Sequence, residues 1–135
     1  WVMIINKNQP YIFSYDGILL NKNLNDVELP NQKIMIVNSS ISLIQNNQIN
    51  PQELIKLQQI SAQLEAIPLF KIQQILLKKD SIQILEESGL TIQLGNEKNL
   101  KEKFLMLKYF IGENRKKLNQ MQFIDIQFPK RVIIK

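Results

Sequence analysis

The amino-acid sequence predicts an α+β fold: a largely antiparallel sheet with two helices packed on one face. Three observations lead there. Short runs rich in Ile, Leu and Val recur along the chain, several alternating with period two. Two longer stretches repeat apolar residues at helical spacing behind capping sequences. The order is strands, helix, three strands, helix, two strands, which suits helices covering one side of a sheet.

Val2–Asn6 is an apolar β-rich run, and Pro10-Tyr11-Ile12-Phe13 begins a second. Asp16-Gly17 offers a pair that tolerates positive φ, and Ile18-Leu19-Leu20 leaves that turn. The polar stretch from Asn21 to Glu28, ending near Pro30, reads as a loop, and Lys33–Val37 as a strand closed by Asn38-Ser39-Ser40. The first helix is expected over 51–66: Asn50 as N-cap, Pro51 in the first helical position, Glu53 completing a capping box, and Pro68 ending it. Leu54, Leu57, Ile60/Ser61, Leu64 and Ile67 form its buried stripe.

A meander of three strands is expected next. Phe70–Lys78 turns at Lys79-Asp80 into Ser81–Glu86, with Ile82 and Ile84 on one face and Gln83 and Leu85 on the other. Glu87-Ser88-Gly89 then turns into Leu90–Leu94, closed by Gly95-Asn96. The second helix runs from Asn99 to about Lys117, with Glu102 in the capping-box position and Leu100, Phe104, Leu107, Ile111 and Leu118 as its stripe. Gly112 inside it costs about 1 kcal/mol against Ala, so the last turns are expected to fray or kink. Met121–Phe128 and Arg131–Lys135, either side of Pro129-Lys130, are the final strands.

Composition bounds the function. One domain fits 135 residues, and 44% apolar content supplies a hydrophobic core without a metal or disulfide staple. Histidine is absent, which removes the usual general base near neutral pH and the commonest metal ligand. Cysteine is absent too, which excludes thiolate nucleophiles, zinc knuckles and disulfides. No apolar run approaches the roughly 18–20 residues that cross a bilayer. The chain begins with Trp1 rather than Met, so it reads as a fragment with a targeting segment upstream.

No motif supplies chemistry. Glu86 and Glu87 are adjacent on a strand and point to opposite faces, while Asp16 and Asp80 fall in turns, where Asp bonds backbone. Asn38-Ser39-Ser40 is a glycosylation sequon that matters only in a glycosylating compartment. The four glycines are isolated, which excludes a phosphate-binding loop. The expectation is a protein that is not an enzyme and takes no cofactor and no metal. Asp125, inside the strand pattern Phe123–Phe128, has two readings: a solvent-facing or cross-strand charge opposite Arg131, or a polar mark on a binding surface.

The run Gly89–Gly95, the capped helix from Asn99, and Phe123-Ile124-Asp125-Ile126-Gln127-Phe128 before a short final strand resemble the C-terminal half of the FtsQ/DivIB cell-division family. Asp16-Gly17-Ile18-Leu19-Leu20 is similar to the start of that family's β domain, and Trp1–Phe13 to the last strand of the POTRA domain before it. The resemblance implies that residues 1–13 end a POTRA domain or lead into the sheet, and that 14–135 form the β domain. It implies a single-pass membrane protein with this part on the extracytoplasmic face, anchored by an upstream helix absent from this chain. It also implies a divisome scaffold that holds FtsB/DivIC-like and FtsL-like coiled-coil partners by strand addition. Carried onto this chain, the partner-binding set is Phe128, Lys130, Arg131, Val132, Ile133, Ile134 and Lys135. Where many relatives carry a basic residue before the aromatic, this chain has Gln127.

A last strand after a tight turn is expected at a sheet edge, where Lys130, Arg131 and Lys135 either defend an ordinary closing strand or favour an acidic incoming one. The net charge of +5 also admits a basic nucleic-acid-binding module. The basic clusters are scattered, however, and the one at Arg115-Lys116-Lys117 has no aromatic nearer than Phe110 on which a base would stack. Solvated surface is the favoured reading of that charge, and no nucleic acid is expected.

Overall fold

The computed structural model describes residues 2–6, 10–21, 34–67, 71–128 and 131–135. The expected loop over 22–30, Pro68, Phe70 and the Pro129-Lys130 turn lie outside these residues. In chain order the strands are β1 (Val2–Asn6), β2 (Pro10–Ser14), β3 (Leu19–Asn21), β4 (Ile34–Ser39), β5 (Ile44–Gln45), β6 (Gln48–Ile49), β7 (Ile72–Lys78), β8 (Ser81–Glu86), β9 (Thr91–Gly95), β10 (Phe123–Asp125) and β11 (Ile133–Ile134). Helix α1 (Pro51–Glu65) lies between β6 and β7. Helix α2 (Leu100–Glu113), followed by a 3-10 helix (Arg115–Gln120), lies between β9 and β10.

The fold is α+β, built on one nine-stranded sheet in the order β11-β10-β9-β8-β7-β4-β1-β2-β3. Most neighbours are antiparallel, including the β7–β8–β9 meander. Three pairs are parallel: β1 with β4, β4 with β7, and β9 with β10. Two of these arise because a helix returns the chain to the end of the sheet from which it started, the general requirement for a parallel pair. β1 and β2 belong to the same sheet, with β1 between β4 and β2.

Alternation decides the faces. Met3, Ile5, Met35, Val37, Ile75, Leu77, Ile84, Ile92 and Ile124 point to one side and pack with Leu57, Ile60 and Leu64 of α1 and Phe104, Leu107 and Ile111 of α2. Both helices therefore cover the same face. A smaller cluster of Val2, Ile4 and Ile12 lies on the opposite face near β1 and β2.

Local chemistry explains where the sequence reading falls short. Asn38 and Ser39 complete β4 instead of forming a turn. Ile44–Ile49 is a two-stranded hairpin absent from the sequence reading, closed by Asn46 (φ 52°) and Asn47 (φ 60°). Two central residues at positive φ make the turn whose twist matches a hairpin, and Asn tolerates them. The hairpin then holds the β2–β3 turn against the start of α1: Ile49 N–H donates to Gly17 O, and Asn50 N–H to Leu43 O. At Gly17 (φ +82°) a Cβ would stand 2.9 Å from Leu54 Cδ2, so glycine lets α1 close on this turn.

Asn50 caps α1 by accepting the Gln52 N–H at 3.1 Å. The capping box does not form, because the Asn50 N–H is already committed to Leu43, and Glu53 pairs with Lys56 at 3.0 Å. Lys56 also reaches Glu97 at 3.0 Å, joining α1 to the segment before α2. The second expected box fails as well: Asn99 is left-handed (φ 58°) and its side chain makes no capping bond. Helix α2 runs through Gly112 to Glu113 before tightening into the 3-10 turns, so it ends short of Lys117.

Lys103, on the buried side of α2, is only 2% exposed, and its Nζ donates to Asn96 O at 2.8 Å and Asn96 Oδ1 at 3.3 Å. Burial holds its pKa below the ordinary 10.5. Between that lowered value and 10.5 the unfolded chain binds more protons than the folded one, so this group makes stability rise with pH. For Lys56, burial pulls the pKa down, but hydrogen bonds and charge from Glu53 and Glu97 raise it overall. Its contribution is lost only above 10.5. Lys103→Met is therefore expected to be more stable than wild type near neutral pH, with the two converging as pH climbs towards the ordinary lysine range. Urea midpoints at neutral and alkaline pH check this, and a pH-independent difference would contradict it.

Candidate partner-binding edge

β11 is the outermost strand of the sheet, hydrogen-bonded to β10 on one side. Its register determines which backbone groups are free. Phe123 N–H donates to Lys135 O at 3.0 Å and Lys135 N–H to Phe123 O at 2.9 Å, so these residues form a hydrogen-bonded pair. Such pairs alternate with non-bonded ones along an antiparallel ladder. Asp125 and Ile133 are thus the next bonded pair, and Ile124 and Ile134 lie between them unbonded. The N–H and C=O of Ile133 face inward. Those of Ile134 face away from β10 and from the rest of the sheet.

The side chains around this edge divide by face. Ile134 is opposite the buried Ile124, on the helix-covered side, and is 45% exposed; Val132 packs against the core nearby. On the other side Ile133 is opposite Asp125, and the Lys135 ammonium lies 5.9 Å from the Phe123 ring centre. The Arg131 guanidinium lies 5.1 Å from the ring centre of Phe128, itself 49% exposed. Cations seated on aromatic faces are held in place while keeping their charge available. Six of the seven expected partner-binding residues, Phe128, Arg131, Val132, Ile133, Ile134 and Lys135, are thus gathered at one edge, with Val132 largely turned inward. Lys130 lies outside the described residues.

The approach to the edge differs from the long final strand expected over Met121–Phe128, since β10 has only three residues. Just past it, Gly95 (φ +72°) lies against Gln127. A Cβ there would stand 2.7 Å from Gln127 Cβ, so the chain at Gln127 folds tightly over the end of β9. Asp125 closes this turn: Oδ1 accepts the Gln127 N–H at 3.0 Å and Oδ2 the Gln127 Nε2 at 2.8 Å. Ile126 N–H donates to Gln93 O at 3.0 Å, fixing the same segment to β9. Asp125 is half-buried and its carboxylate engages Gln127 in the same turn instead of a charge across the hairpin. Gln127 in turn binds Asp125 instead of standing free as a recognition group. The pairing of Gly95 with Gln127 was not read from the sequence; the turn of Asp125 onto Gln127 had a signal, an Asp-x-Gln segment at the end of a strand.

Elsewhere, an open cleft of about 700 Å³ lies beside the start of α1 and the β7–β8 turn, lined by Glu53, Lys56, Lys78, Lys79, Asp80 and Glu97. Its charges have both signs, and Lys56 is already bound between Glu53 and Glu97. Among the described residues no group of three or more acidic, His or Cys side chains is placed to hold a metal ion. Among them, too, no helix is long and apolar enough to cross a membrane.

No family model matches the sequence, and no curated protein matches it. The described residues form an α+β fold whose outermost strand on one side, β11, is flanked by the cations Arg131 and Lys135.

Proposed function

We propose that this chain is a non-enzymatic scaffold domain of the cell-division machinery, of the FtsQ/DivIB kind. It holds FtsB/DivIC-like and FtsL-like coiled-coil membrane proteins by adding an extended segment of the partner to β11. In this reading the domain stands on the extracytoplasmic face of the cytoplasmic membrane, tethered by a helix upstream of residue 1. The observation that carries the proposal is the outward-facing backbone of Ile134 on the outermost strand, between Arg131 and Lys135. Backbone bonds supply the affinity in strand addition, and alternate side chains set the choice of partner. An incoming strand with apolar residues towards Val132 and Ile134, and acidic residues towards Arg131 and Lys135, meets both faces of this edge.

The test is a titration at physiological salt. Labelled extracytoplasmic segments of the FtsB/DivIC- and FtsL-like proteins from the same genome are compared with a labelled single-stranded oligonucleotide. Saturable binding of the protein segments, with little oligonucleotide binding, is expected. Tight oligonucleotide binding with a steep salt dependence, and none of the protein segments, would replace the scaffold by a nucleic-acid-binding module.

A further inference from the structure

We infer that Gly95, Asp125 and Gln127 form a clasp that positions the docking edge without belonging to it. The chain must leave β10 after three residues, cross to Arg131 and return as β11 in one register. The turn that starts this excursion is held from two sides. From below, the missing Cβ of Gly95 admits Gln127 to a separation that no side chain would allow, the would-be Cβ lying 2.7 Å from Gln127 Cβ and 3.5 Å from its Cα. From within, the Asp125 carboxylate takes both Gln127 donors, backbone and side-chain, at 3.0 and 2.8 Å. Two bonds to one carboxylate fix the direction of the residue between them more firmly than a neutral pair would.

The clasp bears on the edge through Asp125, which both closes the turn and pairs with Ile133 of β11. If its carboxylate lets go, the backbone at 125–127 is free to continue as strand. The register that turns Ile134 outward is then no longer imposed. β11 and Lys135 together give only three residues to this pairing, so the hairpin has little hold of its own. The inference rests on the scaffold reading only for its consequence in binding; its structural part is independent of any partner.

Amide hydrogen exchange on the full chain tests it with three variants. Asp125→Ala is expected to accelerate exchange of the Phe123 and Lys135 amides about tenfold or more, because a charge-assisted anchor is lost. The β1 and β4 amides, remote from Gly95 and Asp125, are expected to keep their wild-type rates. Gly95→Ala, which pushes Gln127 away from the other side, should give the same hairpin-only pattern. Asp125→Asn keeps an oxygen for the Gln127 N–H and should restore most of the protection. Unchanged hairpin exchange in both Asp125→Ala and Gly95→Ala overturns the inference. So does equal acceleration of the hairpin amides and those of β1 and β4, which marks a general loss of stability. Partner dissociation is measured alongside. Faster release in Asp125→Ala together with hairpin opening is the expected consequence for binding. A hairpin that opens in a protein that never bound the partner segments would sink the scaffold reading and leave the clasp standing.

Discussion

If β11 docks a partner strand as proposed, Ile134→Pro is expected to lose that binding by at least about tenfold while the domain stays folded and the β10–β11 hairpin intact. The Ile134 N–H faces away from β10, so within the domain its removal breaks no ladder bond. Proline is tolerated on an edge strand when its missing donor lies on the solvent side, and it leaves the preceding residue extended. For an incoming strand the change is large, because a donor is lost and the ring occupies the path of approach. Ile133→Pro is the matched control. Its N–H belongs to the inward pair with Asp125, so this variant opens the hairpin and reduces binding only by way of structure. Circular dichroism and the Lys135 amide separate the two, and partner titration then reads the edge alone. Full binding by a folded Ile134→Pro protein would rule out docking on this strand.

Phe104→Ala is the variant with the largest expected effect on stability, about 3–5 kcal/mol. Phe104 is 1% exposed, in the middle of the α2 stripe over the sheet. Few rearrangements could fill the space, because other members of the same core cluster, Leu107, Ile92 and Ile124, are themselves fully buried. A domain of this size is stable by about 5–15 kcal/mol, so one such cavity removes a large part of the margin. Tyr109→Ala, on the outer side of the same helix at 72% exposure, should stay within about 0.5 kcal/mol of wild type. Urea unfolding of the three proteins gives the comparison; equal losses for Phe104 and Tyr109 would mean α2 does not pack as described.

The layers were legible in the sequence because they depend on periodicity. The alternation of Ile82, Ile84, Ile92 and Ile124, and the helical spacing of Leu57, Ile60, Leu64, Phe104 and Leu107, assign faces without knowledge of neighbours. Strand order is another matter. That β1 pairs with both β2 and β4, or that β10 lies parallel to β9, depends on residues far apart in the chain. The capping boxes failed for a similar reason. Glu53 found a cation in Lys56 and Asn50 a carbonyl in Leu43, and tertiary partners outcompeted the local motif. At the edge, the basic and apolar character of Arg131–Lys135 was visible, and so was its position as the last strand. The short β10 was not, nor was the contact of Gly95 with Gln127, which spans α2. Nor was the direction of the Ile133 and Ile134 backbones, which follows only from the Phe123–Lys135 bonds.

The place of β1 also constrains how the chain can fold as it is made. It is the first strand described, yet it lies inside the sheet, with β2 on one flank and β4 on the other. Its pairing with β2 is local and can form early, but its second flank has no partner until β4 has been synthesised. During that interval an apolar strand carrying Met3 and Ile5 presents a bare ladder, the kind of surface on which nascent chains associate wrongly. A pause before β4 would prolong this exposure, and once β4 is made the bare flank passes to β4 itself until β7 follows.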